Sequence, residues 1–335
     1  MKNQYLIRME EPEDCVFVNN SQDYYYRRFL NPATKYLKNE IDCMHFHTPS
    51  SEPVFYHEHD SGSETFFVSQ GKFLCNCMGR DFIMEAGDVF HIQPWMGHGF
   101  TAIEPNSRLN IMFMGIDQQA KSQASRRVKN NFVQTYEKLS RKGALRDFGH
   151  YFFANNRNLP VNNEVPPEQI QQLRPAGTGL RVHDYEKLGL KMYLKVAKYE
   201  TQGVKEIWEL QMKPGFYCKW DDFLPEYRLF YVTAGRIRCT VRTSDEETFE
   251  FDAVKENIVH IPPYTPFSFE VIEEARMYDL DCPSRIQDLC EEAELMIHND
   301  PGKANDMAAI LSLCKELDLN CTDFGYNSAA TSKNT

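Results

Sequence analysis

The sequence has no hydrophobic run long enough for a membrane-spanning helix, and its first residues, Met1 to Gln4, are polar. Positive charge is also scarce, since 37 lysines and arginines stand against 48 aspartates and glutamates, for a formal net charge of -11. Because nucleic-acid-binding surfaces are basic, this balance argues against a nucleic-acid partner. The sequence therefore predicts a cytoplasmic protein with no membrane or nucleic-acid partner.

Closely spaced cysteine pairs of the zinc-knuckle type are missing, although the chain contains 10 cysteines. Without a signal for export, scattered cysteines are expected to be reduced and buried. Cys75 and Cys77 are spaced to share one face of a strand, which leaves a second metal site there as an alternative.

Residues that can bind a metal are concentrated between positions 57 and 98. His57 and His59 lie in a run typical of a strand, and alternate strand residues share a face. A turn signal follows them, and a hairpin at this point would bring Glu64 back beside the two histidines. His98 comes after a second turn. Imidazole and carboxylate ligands suit Fe2+, Mn2+, Ni2+, Co2+ or Zn2+, and ligand type alone does not choose among these ions.

This pattern resembles the cupin superfamily. The first cupin motif, H-x-H-x4-E-x6-G, is matched by His57, His59, Glu64 and Gly71, and the second motif runs from Gly87 to His98. Pro94 and Gly97 are displaced from their usual places in the second motif, which affects the expected shape of the loop. The resemblance implies one divalent metal ion (Fe2+, Mn2+, Zn2+ or Ni2+), with these ligands: His57, His59, Glu64 and His98.

Residues 205–282 repeat the plan of the first barrel, but without its metal ligands. In this register the four ligand positions carry other side chains: Asp221 for His57, Phe223 for His59, Arg228 for Glu64 and Phe267 for His98. A cation and two phenyl rings cannot bind a divalent metal, so the second barrel is predicted to be degenerate. It would serve packing and oligomer formation, with small-molecule binding as the alternative. His91 and His260 occupy matching places, which favours a structural role for both.

The predicted fold is mainly β, with two double-stranded β-helix (cupin or jelly-roll) barrels, a helical linker and C-terminal helices. The metal-binding barrel with its N-terminal arm is expected at 1–116, the linker at 117–200, the degenerate barrel at 201–283, and the helices and tail at 284–335. An apolar stripe predicts a linker helix that ends near Gly143. Ser284 and Asp300-Pro301 are predicted to start the last two helices. Sheet edges of this kind are commonly covered by a partner, so a homodimer is expected.

Three further residues, His47, Trp95 and Tyr56, are predicted to line the pocket beside the metal. His45 and His47 share a strand face, and His47 is a candidate acid–base or supporting group. Trp95 and Tyr56, together with Phe100, would form an aromatic mouth that suits a small cyclic substrate.

The predicted activity is that of a metalloenzyme that cleaves a C–C bond in a small oxygenated substrate. With Fe2+ and O2, the protein would be a dioxygenase, which is an oxidoreductase, and it would cleave a C–C bond of a catechol-like, hydroxy-acid or diketone substrate. The resemblance to two-barrel cupins favours this reaction. Without oxygen, the metal would support hydrolysis of a cyclic or linear β-diketone, an isomerisation or a lyase step. A ligand-binding cupin without catalysis is the remaining alternative.

Overall fold

A computed structural model shows the chain as two compact units, Glu11–Thr178 and Gly179–Thr335, the latter joined by Met1–Glu10. The residues that the structure describes are 3–14, 17–20, 24–29, 39–49, 54–59, 63–114, 150–152, 170–201, 206–220, 228–242, 247–280, 286–317, 319 and 321–327. The predicted linker helix, Ser284, Asp221 and Phe223 lie outside them.

The regular elements are mostly strands. The strands are β1 (Leu6–Arg8), β2 (Phe17–Asn20), β3 (Tyr24–Phe29), β4 (Asn39–Phe46), β5 (Val54–His59), β6 (Ser63–Gln70), β7 (Lys72–Cys77), β8 (Arg80–Glu85), β9 (Val89–Ile92), β10 (His98–Ala102), β11 (Ser107–Met114), β12 (His150–Phe152), β13 (Leu173–Arg174), β14 (Val182–Tyr185), β15 (Leu190–Val196), β16 (Ile207–Met212), β17 (Phe216–Trp220), β18 (Arg228–Arg242), β19 (Thr248–Val254), β20 (Asn257–Ile261), β21 (Phe267–Asp279) and β22 (Cys321–Tyr326). The helices are α1 (Ile286–Asn299) and α2 (Met307–Glu316). Short 3-10 turns span Pro12–Asp14, Glu186–Leu188, Lys198–Thr201 and Pro301–Asn305.

The first unit contains two antiparallel sheets. One has the order β13-β9-β6-β11-β4-β3-β2 and the other the order β12-β5-β10-β7-β8. Alternate residues of both sheets enter one apolar core, in which the Phe66 and Phe100 rings lie 5.2 Å apart. The predicted fold, mainly β with a barrel in each half and helices near the C-terminus, is confirmed.

The second unit contains one sheet whose main path is β1-β20-β18-β21-β16-β15-β14, with β17, β19 and β22 paired to its sides. Its apolar core is separate and includes Trp208, Phe230 and Phe267. The predicted boundaries place residues 1–116 together, whereas the structure groups the first ten residues with the second unit. The reason is that β1 pairs with β20, Leu6 opposite Val259.

The strand register repeats between the two units. Glu64 is opposite Ile92 in the β6–β9 ladder, and Arg228 is opposite Ile261 in the β18–β20 ladder. His98 and Phe267 each begin the strand that follows, β10 and β21. The structure therefore places Arg228 where the first barrel has Glu64, in the register that the sequence predicts.

The last helix is shorter than the sequence predicts. The helix predicted to start at Asp300-Pro301 instead begins at Met307, after a 3-10 turn at Pro301–Asn305. Asp306 ends that turn and caps α2, because its carboxylate accepts a hydrogen bond from the Ala309 amide at 3.1 Å. Neither of the helices in the described part of the chain has the length and hydropathy that a membrane span requires.

Candidate metal centre

Three strands position the candidate metal centre. His59 is the last residue of β5, Glu64 the second of β6 and His98 the first of β10. Alternation along β6 places Glu64 on the face that Phe66 and Val68 present to the core. The three side chains are consequently buried, with at most 2 % of each exposed.

One carboxylate oxygen joins the three groups. Glu64 Oε2 lies 2.9 Å from His59 Nε2 and 2.7 Å from His98 Nε2. The two imidazole ring centres are 5.3 Å apart. Among the described residues, His59, Glu64 and His98 are the one group of three such side chains that could hold a metal ion.

A backbone carbonyl sets the orientation of His98. Its Nδ1 donates a hydrogen bond to the Met96 carbonyl oxygen at 2.8 Å, which leaves the lone pair of the neutral ring on Nε2. Two ligand atoms that each bind an ion at about 2.1 Å, at right angles, lie about 3 Å apart. The observed separations between the carboxylate oxygen and the two nitrogens agree with that value, so the donor set fits a divalent metal.

The electrostatics of the site favour an ionised Glu64. Burial alone would raise its pKa, but the charge and close contact of His59, with a smaller contribution from His98, outweigh burial. The pKa of Glu64 is therefore held well below its usual range. A carboxylate that stays ionised in an apolar interior offers a cation both charge and ligand atoms.

Two of the predicted site residues are described only through their backbone. His57 is the register partner of His98 in the β5–β10 ladder, and it also pairs with Phe152 of β12. The side chains of His57 and Tyr56 lie outside the described part of the structure.

Aromatic residues surround the cluster unevenly. Phe66 presents its ring to His98 at 5.8 Å, and so forms an apolar floor under the site. Phe100, predicted at the mouth, instead packs in the core between Phe46 and Phe73. The Trp95 side chain is 55 % exposed, and its amide donates to the His59 carbonyl at 2.7 Å, which places this residue in the loop beside the ligand strand.

The structure does not bring His47 to the cluster. Met44 and Phe46 of β4 face the apolar core, so His45 and His47 lie on the opposite face, with their ring centres 4.7 Å apart. The apolar residues of β4 face the core. The spacing of His45 and His47 shows that they share a face, but it does not show whether that face is the core side of the strand.

The Cys75 and Cys77 thiols are part of the apolar core of the first barrel. Burial raises the pKa of both thiols, that of Cys77 to about 12. Both thiols are therefore protonated near neutral pH, and the geometry does not support a second metal site there.

The second barrel offers no comparable set among its described residues. Arg228 stands in place of Glu64, with its guanidinium 4.6 Å from the centre of the Trp220 ring. Phe267 stands in place of His98, and its ring stacks on Trp220 at 5.5 Å. Neither side chain is a metal ligand.

Residues 44–113 match the family model described as a cupin domain. The first barrel is therefore similar to a cupin domain. The fold of the whole chain is similar to those of solved two-barrel proteins. Oxalate decarboxylase from Bacillus subtilis is 16% identical over 83% of this chain and 76% of its own, with a TM-score of 0.51.

Two globulin-type bicupins are equally similar in structure. An 11S globulin from Wrightia tinctoria, whose structure reveals an auxin binding site, is 12% identical over 84% of each chain, with a TM-score of 0.56. Vicilin from Capsicum annuum is 10% identical over 84% of this chain and 87% of its own, with a TM-score of 0.54. At these identities the likeness concerns the fold alone. No curated protein matches the chain.

Proposed function

We propose that the first barrel binds one divalent metal ion through His57, His59, Glu64 and His98. The proposal rests on one observation: the His59, Glu64 and His98 ligand atoms converge, with one carboxylate oxygen within 2.9 Å of both imidazoles. His57 completes the set because its backbone is paired with His98 in the same ladder.

We further propose that the chain is a metal-dependent enzyme that cleaves a C–C bond in a small, oxygenated, cyclic substrate. Its fold is shared with an enzyme named for the decarboxylation of oxalate, which supports a substrate whose oxygen atoms can chelate an ion. A divalent ion at this site would polarise a bound substrate oxygen and lower the pKa of bound water.

The chain's own residues would prepare the site for this chemistry. Glu64 supplies a negative charge in a buried position, and the Met96 carbonyl fixes the tautomer of His98. Phe66 and the core behind it exclude water from one side of the ligand cluster. Trp95 lies in the loop beside His59, and we expect its exposed indole to contact a ring that enters there.

The metal assignment is tested by elemental analysis of protein purified without added metal and then loaded with Fe2+, Mn2+ or Zn2+. Replacing His57 and His59 together by Ala, or Glu64→Gln, should reduce bound metal at least about tenfold, because the first change removes two imidazoles and the second replaces the carboxylate by a neutral amide. His260→Asn is the matched control, since this buried histidine lies on β20 of the second barrel. Full metal content in the ligand variants would refute the assignment.

Oxygen consumption separates the two reaction types. We favour a ring-opening dioxygenase, in which both atoms of O2 enter the product; the alternatives are hydrolysis of a β-diketone, an isomerisation and a lyase reaction. Phenols, diketones and hydroxy acids would be screened on protein loaded with each metal, with and without O2. Substrate-dependent oxygen uptake supports the dioxygenase, whereas turnover under anaerobic conditions selects the other class.

A second candidate function is ligand binding without catalysis. It is favoured by the similarity to a globulin with an auxin binding site. A compound that binds the metal-loaded protein saturably and is recovered unchanged, with every metal and with or without O2, would support this function over an enzyme.

We also propose a cytoplasmic homodimer. The similar globulin and decarboxylase structures have the same sheet architecture as this chain. Sheets of this kind have exposed edge strands, which a second copy of the chain can cover. Light scattering coupled to size exclusion would give about twice the 39.1 kDa chain mass for a dimer.

A further inference from the structure

The second barrel contains a partly open cavity that the proposed metal chemistry does not use. Its volume is about 130 Å³, and it lies between the barrel strands and the C-terminal elements α1, α2 and β22. Leu210 and Met192 line it from the sheet, and Ala293 and Ile310 line it from the two helices. Protein interiors contain few voids larger than a water molecule, so a cavity of this size requires an explanation.

Three aromatic side chains form one wall. The Trp220 ring centre is 5.8 Å from that of Phe269 and 6.3 Å from that of Phe230, and the two phenyl rings are 6.0 Å apart. All three residues line the cavity. Aromatic groups at such separations attract one another, and a further ring bound in the cavity would join this cluster.

Two oppositely charged side chains also line the cavity. Arg228 is 8% exposed and Asp279 is 3% exposed, and both face the barrel interior by strand alternation. Phe230, two residues after Arg228, is the register partner of Asp279, so the two charged residues are diagonal neighbours on β18 and β21. Arg228 stands where Glu64 stands in the metal-binding barrel, so the same interior position of both barrels carries a polar group.

We propose that this cavity is a binding site for a small neutral molecule of the phenol class. The ring would occupy the aromatic wall, and the hydroxyl group would lie at Arg228 and Asp279. A hydroxyl group both donates and accepts, so it can donate to a carboxylate and accept from a guanidinium, which has five N–H donors. An apolar cavity of about 150 Å³ is known to accommodate benzene, so the volume suits a single ring.

The charge pattern selects against ions. A benzoate anion or a benzylammonium cation would each meet one opposite and one like charge, so repulsion from one residue offsets attraction to the other and the cost of removing the ion from water is not recovered. We therefore expect phenol to bind at least about tenfold more tightly than either ion, the ratio that one unmade buried hydrogen bond produces.

The test is a titration of the full-length protein with phenol, toluene, benzoate and benzylammonium. Methionine methyl groups labelled with 13C at Met192 and Met277, which line the cavity, report binding by NMR. Saturable shifts of these two signals with phenol are expected. Absence of such shifts, or tighter binding of benzoate or benzylammonium than of phenol, would overturn the proposal.

Two variants assign the binding to this cavity. Ala293→Phe would fill the space from α1 and should abolish the phenol response, whereas Ala308→Phe makes the same change on α2 at an exposed position and should preserve it. Arg228→Met retains the bulk and should weaken phenol about tenfold while leaving toluene binding unchanged.

The variants also distinguish loss of the binding site from failure of the protein to fold. If Ala293→Phe fails to fold, Arg228→Met still decides the question through its ratio of phenol to toluene affinity. Equal loss of both ligands in Arg228→Met, or wild-type phenol affinity in folded Ala293→Phe, would contradict the proposed site. Metal content of the first barrel plays no part in these measurements.

Discussion

At the residue scale, the matching histidines of the two barrels differ in their surroundings. His91 Nδ1 lies 2.9 Å from Thr65 Oγ1, and Thr65 is its register partner. At the equivalent position the partner of His260 is Leu229. His260 is 1% exposed, and burial lowers its pKa to about 4.

The pKa of His260 predicts how stability changes with pH. In the unfolded chain this histidine should titrate near its usual pKa of about 6.5, so between about pH 6.5 and 4 the unfolded state binds a proton that the folded state does not. The free energy of unfolding should therefore fall by about 3 kcal/mol across that window, and His260 should add no pH dependence above it.

Urea unfolding of the wild type and His260→Asn at pH 7.5, 5.5 and 4 would measure this effect. The difference in unfolding free energy between the two proteins should shift in favour of the variant as pH falls. A difference that is constant with pH would show that His260 does not contribute.

The approach of Glu64 to His59 could be predicted from the sequence because strand alternation and one hairpin suffice to bring the two side chains together. The role of Met96 could not, since its contribution is a backbone carbonyl and any residue carries one. His47 illustrates the opposite problem. Two histidines at alternate positions of a strand share one face of it, but their spacing does not show which face of the strand packs against the core.

At the element scale, a glycine with the same backbone angle lies at matching places in both barrels, between β6 and β7 in the first and within β18 in the second. Gly71 and Gly235 each have φ of 74°. A Cβ atom at Gly71 would lie 2.8 Å from Ser107 Cα, and one at Gly235 would lie 2.7 Å from Ala275 Cα. Both positions therefore require glycine for the backbone angle and for close strand contact.

We expect Gly71→Ala to cost about 2–4 kcal/mol of unfolding free energy, from the left-handed backbone and steric overlap together. Gly79→Ala is the matched control, because Gly79 has φ of 78° but a Cβ atom added there would have no neighbouring atom within 4 Å. It should cost only about 1–2 kcal/mol. Equal losses for the two variants in urea unfolding would mean that the contact with Ser107 is unimportant.

Elements are predictable where one period dominates the sequence. The helix α1, Ile286–Asn299, lies near the position predicted from Ser284. Asp300 and Asp306 can each cap the start of a helix, and the sequence pattern does not show where one helix-like segment ends and the next begins. In the structure Asp306 caps α2, so the helix predicted from Pro301 is interrupted there. The pairing of β1 with β20 depends on residues about 250 positions apart and has no local signal.

At the scale of the whole molecule, each unit has its own apolar core and, among the described residues, only the first has the candidate metal ligands. A ligand that binds one folded unit stabilises that unit by mass action. Free metal at about a hundredfold above its dissociation constant should stabilise the first unit by about 2.7 kcal/mol, which corresponds to a rise in Tm of about 5–10 °C.

Calorimetry of the full chain should therefore show two transitions, of which only one moves when metal is added or chelated. Gly71→Ala should lower the metal-sensitive transition, and Gly235→Ala the metal-insensitive one, because the two glycines belong to different units. Glu64→Gln should abolish the response to metal while both transitions remain. If metal shifts the transition that Gly235→Ala lowers, the ion is bound by the second barrel, and the assignment of the ligands to the first barrel is wrong.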